Sequence, residues 1–190
     1  LSADVLGSDN VAIGVNSMAS TDNARANVAV GFSTLQSLDY DTLTYSHNIA
    51  IGFDAAKLIT TGTNNTIIGG QAGDALTTGV RNVAIGKGAL SAETSGSYNV
   101  AIGESALTDQ NVDNAYNVAV GYHAGVAIST GTDNTLIGGQ VADSLTTGTR
   151  NVAIGKKALQ SEDTGGRNVA IGYQALYTQD SGSDAYNIAI

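Results

Sequence analysis

Two histidines, seventeen acidic side chains and recurring rows of asparagine and threonine are the residues in this chain whose types could do chemistry. Spacing decides which of them can act together. His47 and His123 stand singly in different parts of the chain, with no serine or carboxylate at motif spacing, so a hydrolytic triad has no support. A carboxylate pair of the kind that cleaves glycosides would have to meet across stacked repeats. The phrases around Gly69-Gly70 and Gly138-Gly139 lack the Lys-Ser/Thr ending and the following helix of a phosphate loop. The chain has no cysteine, which removes disulfides, thiolate metal sites and thiol nucleophiles together. The expectation is that the protein is not an enzyme and uses no cofactor.

The acidic residues fall into groups: Asp39 and Asp41, Asp109 and Asp113, then Glu162, Asp163, Asp180 and Asp184. Calcium takes such oxygen ligands, and the acidic loops leave Ca2+ open as a bound ion. Neither the G-G-x-G-x-D phrase nor EF-hand spacing occurs, so solvated loops are the expected role. The same loops carry Tyr40, Tyr45, Tyr116, Tyr177 and Tyr186, and tyrosine beside aspartate can stack on and hydrogen-bond a sugar. Tyr40, Tyr45, Asp113, Tyr116, Tyr177 and Asp184 are therefore the candidate contacts to a cell-surface glycan. Against this, Tyr98, Tyr116 and Tyr186 each directly precede a recurring asparagine, which suggests a packing slot. Thr60-Thr61, Thr77-Thr78, Thr94-Ser95, Ser129-Thr130 and Thr146-Thr147 would make a hydroxyl ladder that could match an ice lattice. Alternatively, those hydroxyls satisfy turn backbone groups.

These residues are positioned by a repeat. The phrase Asn-(Val/Ile/Thr)-(Ala/Ile/Leu)-(Ile/Val)-Gly begins at Asn10, Asn27, Asn48, Asn65, Asn82, Asn99, Asn117, Asn134, Asn151 and Asn168, and an eleventh copy starts at Asn187. The basic spacing is 17, and the units that begin at Asn27, Asn99 and Asn168 are lengthened. A higher-order repeat of four units follows, since residues 64–90 match residues 133–159 at 20 of 27 positions. A small residue follows the phrase at Ala72, Ala89, Ala106, Ala124, Ala158 and Ala175, and leucine comes next at Leu35, Leu90, Leu107, Leu159 and Leu176. Gly62, Gly79, Gly96, Gly131, Gly148 and Gly165 mark a second turn, where glycine can supply a positive φ. The asparagines are expected to form a stacked amide ladder, or to supply the turn conformation before each strand.

A unit of 17 residues is too short for a strand with a packed helix and fits one coil of a parallel β-solenoid, with two short strands and two turns. Residues 1–190 read as one repeat domain of about ten coils, a segment of a longer fibre. Alternation places Val83 and Ile85 on one strand face and Ala84 on the other. Both faces are apolar, the pattern of a strand covered on both sides. The Val/Ile face can fill the coil and leave a row of Ala12, Ala29, Ala50, Ala84, Ala101, Ala119, Ala153 and Ala170 for a partner, and the reverse orientation fits the same pattern. A lone coil with so thin a core is marginal, and threefold self-association would cover the second face.

The segment NVAIGYQALYTQDSG at residues 168–182, and the recurring NVAIG-x-x-AL phrase, resemble two related groups. One is the head of the YadA-like trimeric autotransporter adhesins. The other is the N-(V/T)-A-I-G-Y-Q-A-L repeat region of phage tail fibres and bacterial surface proteins. The resemblance covers essentially the whole chain and implies a left-handed parallel β-roll assembled as a homotrimer. The adhesin repeat is typically shorter than the unit found here, and neither a neck motif nor coiled-coil heptads occur, which favours the tail-fibre-like group.

A net charge of −9 opposes association with nucleic acid or anionic lipid, and no stretch is apolar for the roughly 20 residues a membrane-spanning helix needs. The reading is an all-β structural rod of a trimeric fibre that supports attachment to a host or cell surface, outside the cell on a virion or a cell surface. A bacterial surface adhesin or extracellular filament is the alternative, and an ice-binding solenoid a further one.

Overall fold

The computed structural model describes residues 7–190, which form a parallel β-solenoid without an α-helix. In chain order the strands are β1 (Val11–Ile13), β2 (Asp22–Arg25), β3 (Val28–Val30), β4 (Asp39–Tyr45), β5 (Ile49–Ile51), β6 (Thr66–Ile68), β7 (Val83–Ile85), β8 (Val100–Ile102), β9 (Val118–Val120), β10 (Thr135–Ile137), β11 (Val152–Ile154), β12 (Val169–Ile171) and β13 (Ile188–Ala189). Eleven of them, one per coil, form a single parallel sheet in the order β1-β3-β5-β6-β7-β8-β9-β10-β11-β12-β13. The register is unbroken: Val83, Ala84 and Ile85 pair with Val100, Ala101 and Ile102, and the same match recurs at successive coils. Only β2 and β4 form a second, two-stranded sheet, so the expected second strand exists in one place. Elsewhere that side of the coil is a chain of bends whose backbone amides bond to the next coil, as Thr60 does to the Thr77 carbonyl at 2.9 Å.

The alanine face points inward. Ala84, Ala101, Ala119, Ala153 and Ala170 are fully buried, and the Val/Ile positions beside them lie on the outer surface. The reason is volume: the interior already holds a large side chain, from one of two corners in most coils and from both in the coil of Leu35 and Leu38. Counting from the anchor asparagine, the eighth and eleventh residues both face inward. Leu90 and Leu107 fill the eighth place where the eleventh is Glu93 or Gln110, whereas Leu76 and Ile128 fill the eleventh where the eighth is Gly73 or Gly125. A Cβ on Gly125 would sit 2.7 Å from the Leu136 side chain and 3.0 Å from that of Ile128. With that volume committed, only a small residue fits under most strands. Where a larger one appears, as Ile67 or Leu136, the eighth position shrinks to Gly73 or Ala142.

The two glycine columns serve different ends. Gly86 closes the strand phrase with φ 134°, and a Cβ there would lie 2.4 Å from the Gly103 carbonyl oxygen. Gly79, on the second turn, does not have the expected positive φ; it is small because its Cβ would strike the Gly96 carbonyl oxygen at 2.3 Å. The left-handed residue at this turn is the one before each asparagine, such as Arg81 at φ 58° or Tyr98 at φ 64°.

Candidate functional site

The asparagine column is a continuous internal ladder. The Asn82 amide N–H donates to the Asn65 Oδ1 at 2.9 Å, Asn99 to Asn82 at 3.0 Å, and Asn151 to Asn134 at 2.9 Å. Most of the side-chain amides then turn across their own coil: Asn82 Nδ2 donates to the Gly96 carbonyl at 2.8 Å, and Asn134 Nδ2 to that of Gly148 at 2.9 Å, whereas Asn99 and Asn168 Nδ2 have no partner. The anchors from Asn27 to Asn168 are buried, so this row is a structural spine rather than a surface for ligands.

Two fully buried carboxylates were not expected inside the rod. Glu93 Oε1 accepts from the amides of Thr94, Ser95 and Gly96 at 3.0, 3.2 and 2.6 Å. Its Oε2 accepts from Gln110 Nε2 at 3.1 Å and the Val112 amide at 3.4 Å. In an ordinary coil the amides after the eleventh position bond to carbonyls of the next coil, as Thr77 and Thr78 do to the Thr94 carbonyl; after Glu93 the carboxylate accepts from them instead. Glu162 repeats the arrangement, accepting from Gly165 at 2.7 Å and from Ser181 N–H and Oγ at 3.3 and 3.2 Å. Glu162 is thus no member of a solvated acidic loop; it is 0% exposed. The signal in the sequence was a charged residue at a register position that Leu76 and Leu145 fill with leucine.

The candidate glycan contacts do not converge. Tyr40 is buried and donates its hydroxyl to the Gly62 carbonyl at 2.7 Å. Tyr45, Asp113, Tyr116 and Asp184 share the edge where the lengthened coils project, but at coils four apart, about 19 Å along the stack. Tyr177 lies in the other corner, after the strand. Ring faces are occupied: Arg25 sits 5.4 Å over Tyr45, Tyr98 stacks on Tyr116 at 5.1 Å, and Asp184 pairs with Arg167 at 3.2 Å. Tyr116 is 53% exposed despite preceding an anchor, so that position is an outward column and not a packing slot.

His47 stacks on Tyr45 and His123 on Tyr122, in separate coils. The threonine rows bond to the coil above: Thr77 Oγ1 donates to the Thr94 carbonyl at 2.8 Å and Ser129 Oγ to that of Thr146 at 3.3 Å. One cavity of about 380 Å³ is lined by Gln71, Asp74, Gly88, Ser91, Ala92, Thr108 and Asp109. Desolvation raises the Asp74 carboxyl above its ordinary value, with a smaller push from Asp54.

The most extensive feature of the outer surface is the strand face. Val11, Ile13, Val28, Val30, Ile49 and Ile51 begin two parallel columns of β-branched side chains that continue coil by coil to Ile188. Ile13 is 59% exposed, and at β1 to β5 the stacked Phe32 and Phe53 rings and Val15 widen the apolar strip. No helix among the described residues is long and apolar enough to cross a membrane. No family model matches the chain, and comparison with curated proteins and with solved structures likewise finds no match.

Proposed function

We propose that this chain is the rod of a homotrimeric fibre of the tail-fibre type, a spacer that holds an attachment tip away from its base, outside the cell. The observation that carries this reading is the outward Val/Ile face, two columns of β-branched side chains along the eleven strands of the sheet that are apolar except at Thr66 and Thr135. Contiguous apolar surface of this extent marks a protein contact. A left-handed β-roll trimer, the arrangement implied by the resemblance of the NVAIG-x-x-AL phrase, would turn three such faces toward a common axis. A bacterial surface adhesin would use the same rod. The spine of buried amides suits a part that bears load, and the reading needs no reaction or cofactor.

Replacing Val83, Ile85, Val100 and Ile102 by threonine keeps β-branched strand formers and removes apolar surface from the centre of the face. Under this reading the variant sediments as a smaller species than the parent chain. An unchanged sedimentation coefficient with unchanged circular dichroism would contradict it.

A further inference from the structure

Gly70 and Gly139 are glycines that the backbone does not require. Neither has a positive φ. A Cβ on Gly70 would meet no heavy atom within 4 Å, and one on Gly139 only the Tyr122 carbonyl oxygen, at 4.0 Å. The glycines of the two turn columns differ, held to that type by a positive φ or by a carbonyl of the next coil, as Gly86 and Gly79 are. A glycine with neither reason leaves room for a ligand to approach the backbone closely.

Both stand at the fifth position after an anchor asparagine, in an outward column that runs Phe32, Phe53, Gly70, Lys87 and Glu104 over successive coils and continues Tyr122, Gly139 and Lys156. The order aromatic, glycine, lysine therefore occurs twice. At the first place Phe32 and Phe53 stack with centroids 5.4 Å apart and ring planes 10° apart. Phe32 covers one face of Phe53; the other face looks toward the coil of Gly70, and Phe53 is 55% exposed. The next rung of the ring stack is the one Gly70 leaves empty. Lys87 follows two coils after Phe53, about 9.6 Å along the stack, a height that two van der Waals separations of about 3.5–4.0 Å largely fill. No carboxylate pairs with it: the ion pairs among the described residues are Lys57–Asp54 and Arg167–Asp184. A flat apolar floor, an open gap and an uncompensated ammonium group make up the notch. At the second place the Tyr122 ring is turned against His123, with centroids 4.0 Å apart, so the first notch is the better formed.

We propose that the notch between Phe53 and Lys87 binds a pyranose ring that carries a carboxylate, a sugar of the uronic-acid class. The C–H face of the sugar takes the empty rung on the Phe53 ring. Its carboxylate accepts from the Lys87 ammonium, a charge-assisted contact. The notch is open to solvent, so the rim of the guest must tolerate water; the hydroxyls of a sugar do, and the apolar edge of a planar aromatic ring does not. Phe53, Gly70 and Lys87 belong to one chain, and the inference does not rest on the fibre reading.

The test is saturation-transfer NMR of the chain titrated with sodium glucuronate, with Gly139→Leu present throughout as the parent so that only the first notch is read. We expect saturable transfer with a Kd on the order of 10⁻³ M, for one stacked face and one charge-assisted contact. Gly70→Leu puts a side chain into the empty rung, where a Cβ meets nothing and φ is not positive, so the fold should hold. Its affinity for glucuronate should fall at least about tenfold. Phe53→Ala removes the floor and gives the readout if Gly70→Leu loses its circular dichroism. Lys87→Gln should bring glucuronate down to the affinity of glucose. Absence of saturable transfer up to about 50 mM glucuronate, fifty times the expected Kd, overturns the proposal. Binding within about twofold of the parent in both Gly70→Leu and Phe53→Ala overturns it equally. Equal affinity of the parent for glucose and glucuronate removes the carboxylate from it, and tighter binding of sodium benzoate would give the rung to a planar aromatic group instead; either result contradicts the assignment.

Discussion

Asn134 uses both ends of its side chain, accepting from the Asn151 amide and donating to the Gly148 carbonyl, whereas Asn99 accepts from the Asn117 amide at 3.1 Å and leaves its buried Nδ2 without a partner. The difference follows from the lengthened coil, which has no glycine carbonyl at the place where Gly96 or Gly148 stands. Asn134→Leu should therefore cost about 2–5 kcal/mol, for two orphaned backbone groups, and Asn99→Leu about 1–3 kcal/mol, for one. Thermal melts of the two variants should keep that order; equal losses would show that the ladder does not act through these bonds. Asp74 supplies a second expectation at this scale. Its carboxyl titrates above the ordinary 3.8 because desolvation opposes ionisation, against the lowering effect of its own amide, the Ala75 amide and Lys57. A raised folded value means a stabilising contribution that is complete below pH 3.8 and lost as pH rises through the folded value. Asp74→Asn should raise the melting temperature at pH 7, and the gain should vanish below pH 3.8. A gain that persists in acid would assign the effect to packing.

The coil is the element of this fold, and its variation is governed by which corner supplies the large side chain. Leu90 with Glu93, and Gly73 with Leu76, are two solutions to one interior volume. The first frees the eleventh position for a polar group, and the chain uses that freedom ahead of lengthened coils. Glu93→Leu should not behave as the leucine of its neighbours does, because it strands four backbone amides and the Gln110 side chain. A loss of about 3–5 kcal/mol is expected, with a smaller loss for Glu93→Gln, which keeps one acceptor oxygen. Limited proteolysis should cut the Glu93→Leu chain first within residues 109–116; unaltered cleavage there would remove the clamp from the account.

At this scale much of the structure was legible. The Asn phrase, its regular spacing and the Ala and Leu positions marked the strand, the coil and the core. What was not legible has a common physical cause: a column was interpreted within one coil, whereas its environment is set by the coil above. The inward turn of Ala84 depends on Leu90 having taken the interior volume. The smallness of Gly79 depends on the Gly96 carbonyl, and the burial of Glu93 and Glu162 on donors from the next coil, Gln110 and Val112 for the one and Ser181 for the other. The tyrosines misled for the same reason, since Tyr98 and Tyr116 belong to successive coils and meet only because the coils stack.

For the whole molecule, the interior column of alanine, leucine and asparagine accounts for one face of the sheet and leaves the other open. Most coils add one more Val/Ile pair outside, with threonine in place of one member at Thr66 and Thr135, so the exposed strip lengthens with the rod, and its coverage is a property of the entire length rather than of a local pocket. The net charge of −9 works against association at low salt and is screened as salt rises. The measurement that bears most directly on the fibre reading is the native mass of the intact chain at physiological ionic strength. A homotrimer with three times the 19.1 kDa mass of one chain, holding together on dilution, is the expected result. A stable, folded 19.1 kDa monomer under the same conditions would contradict it.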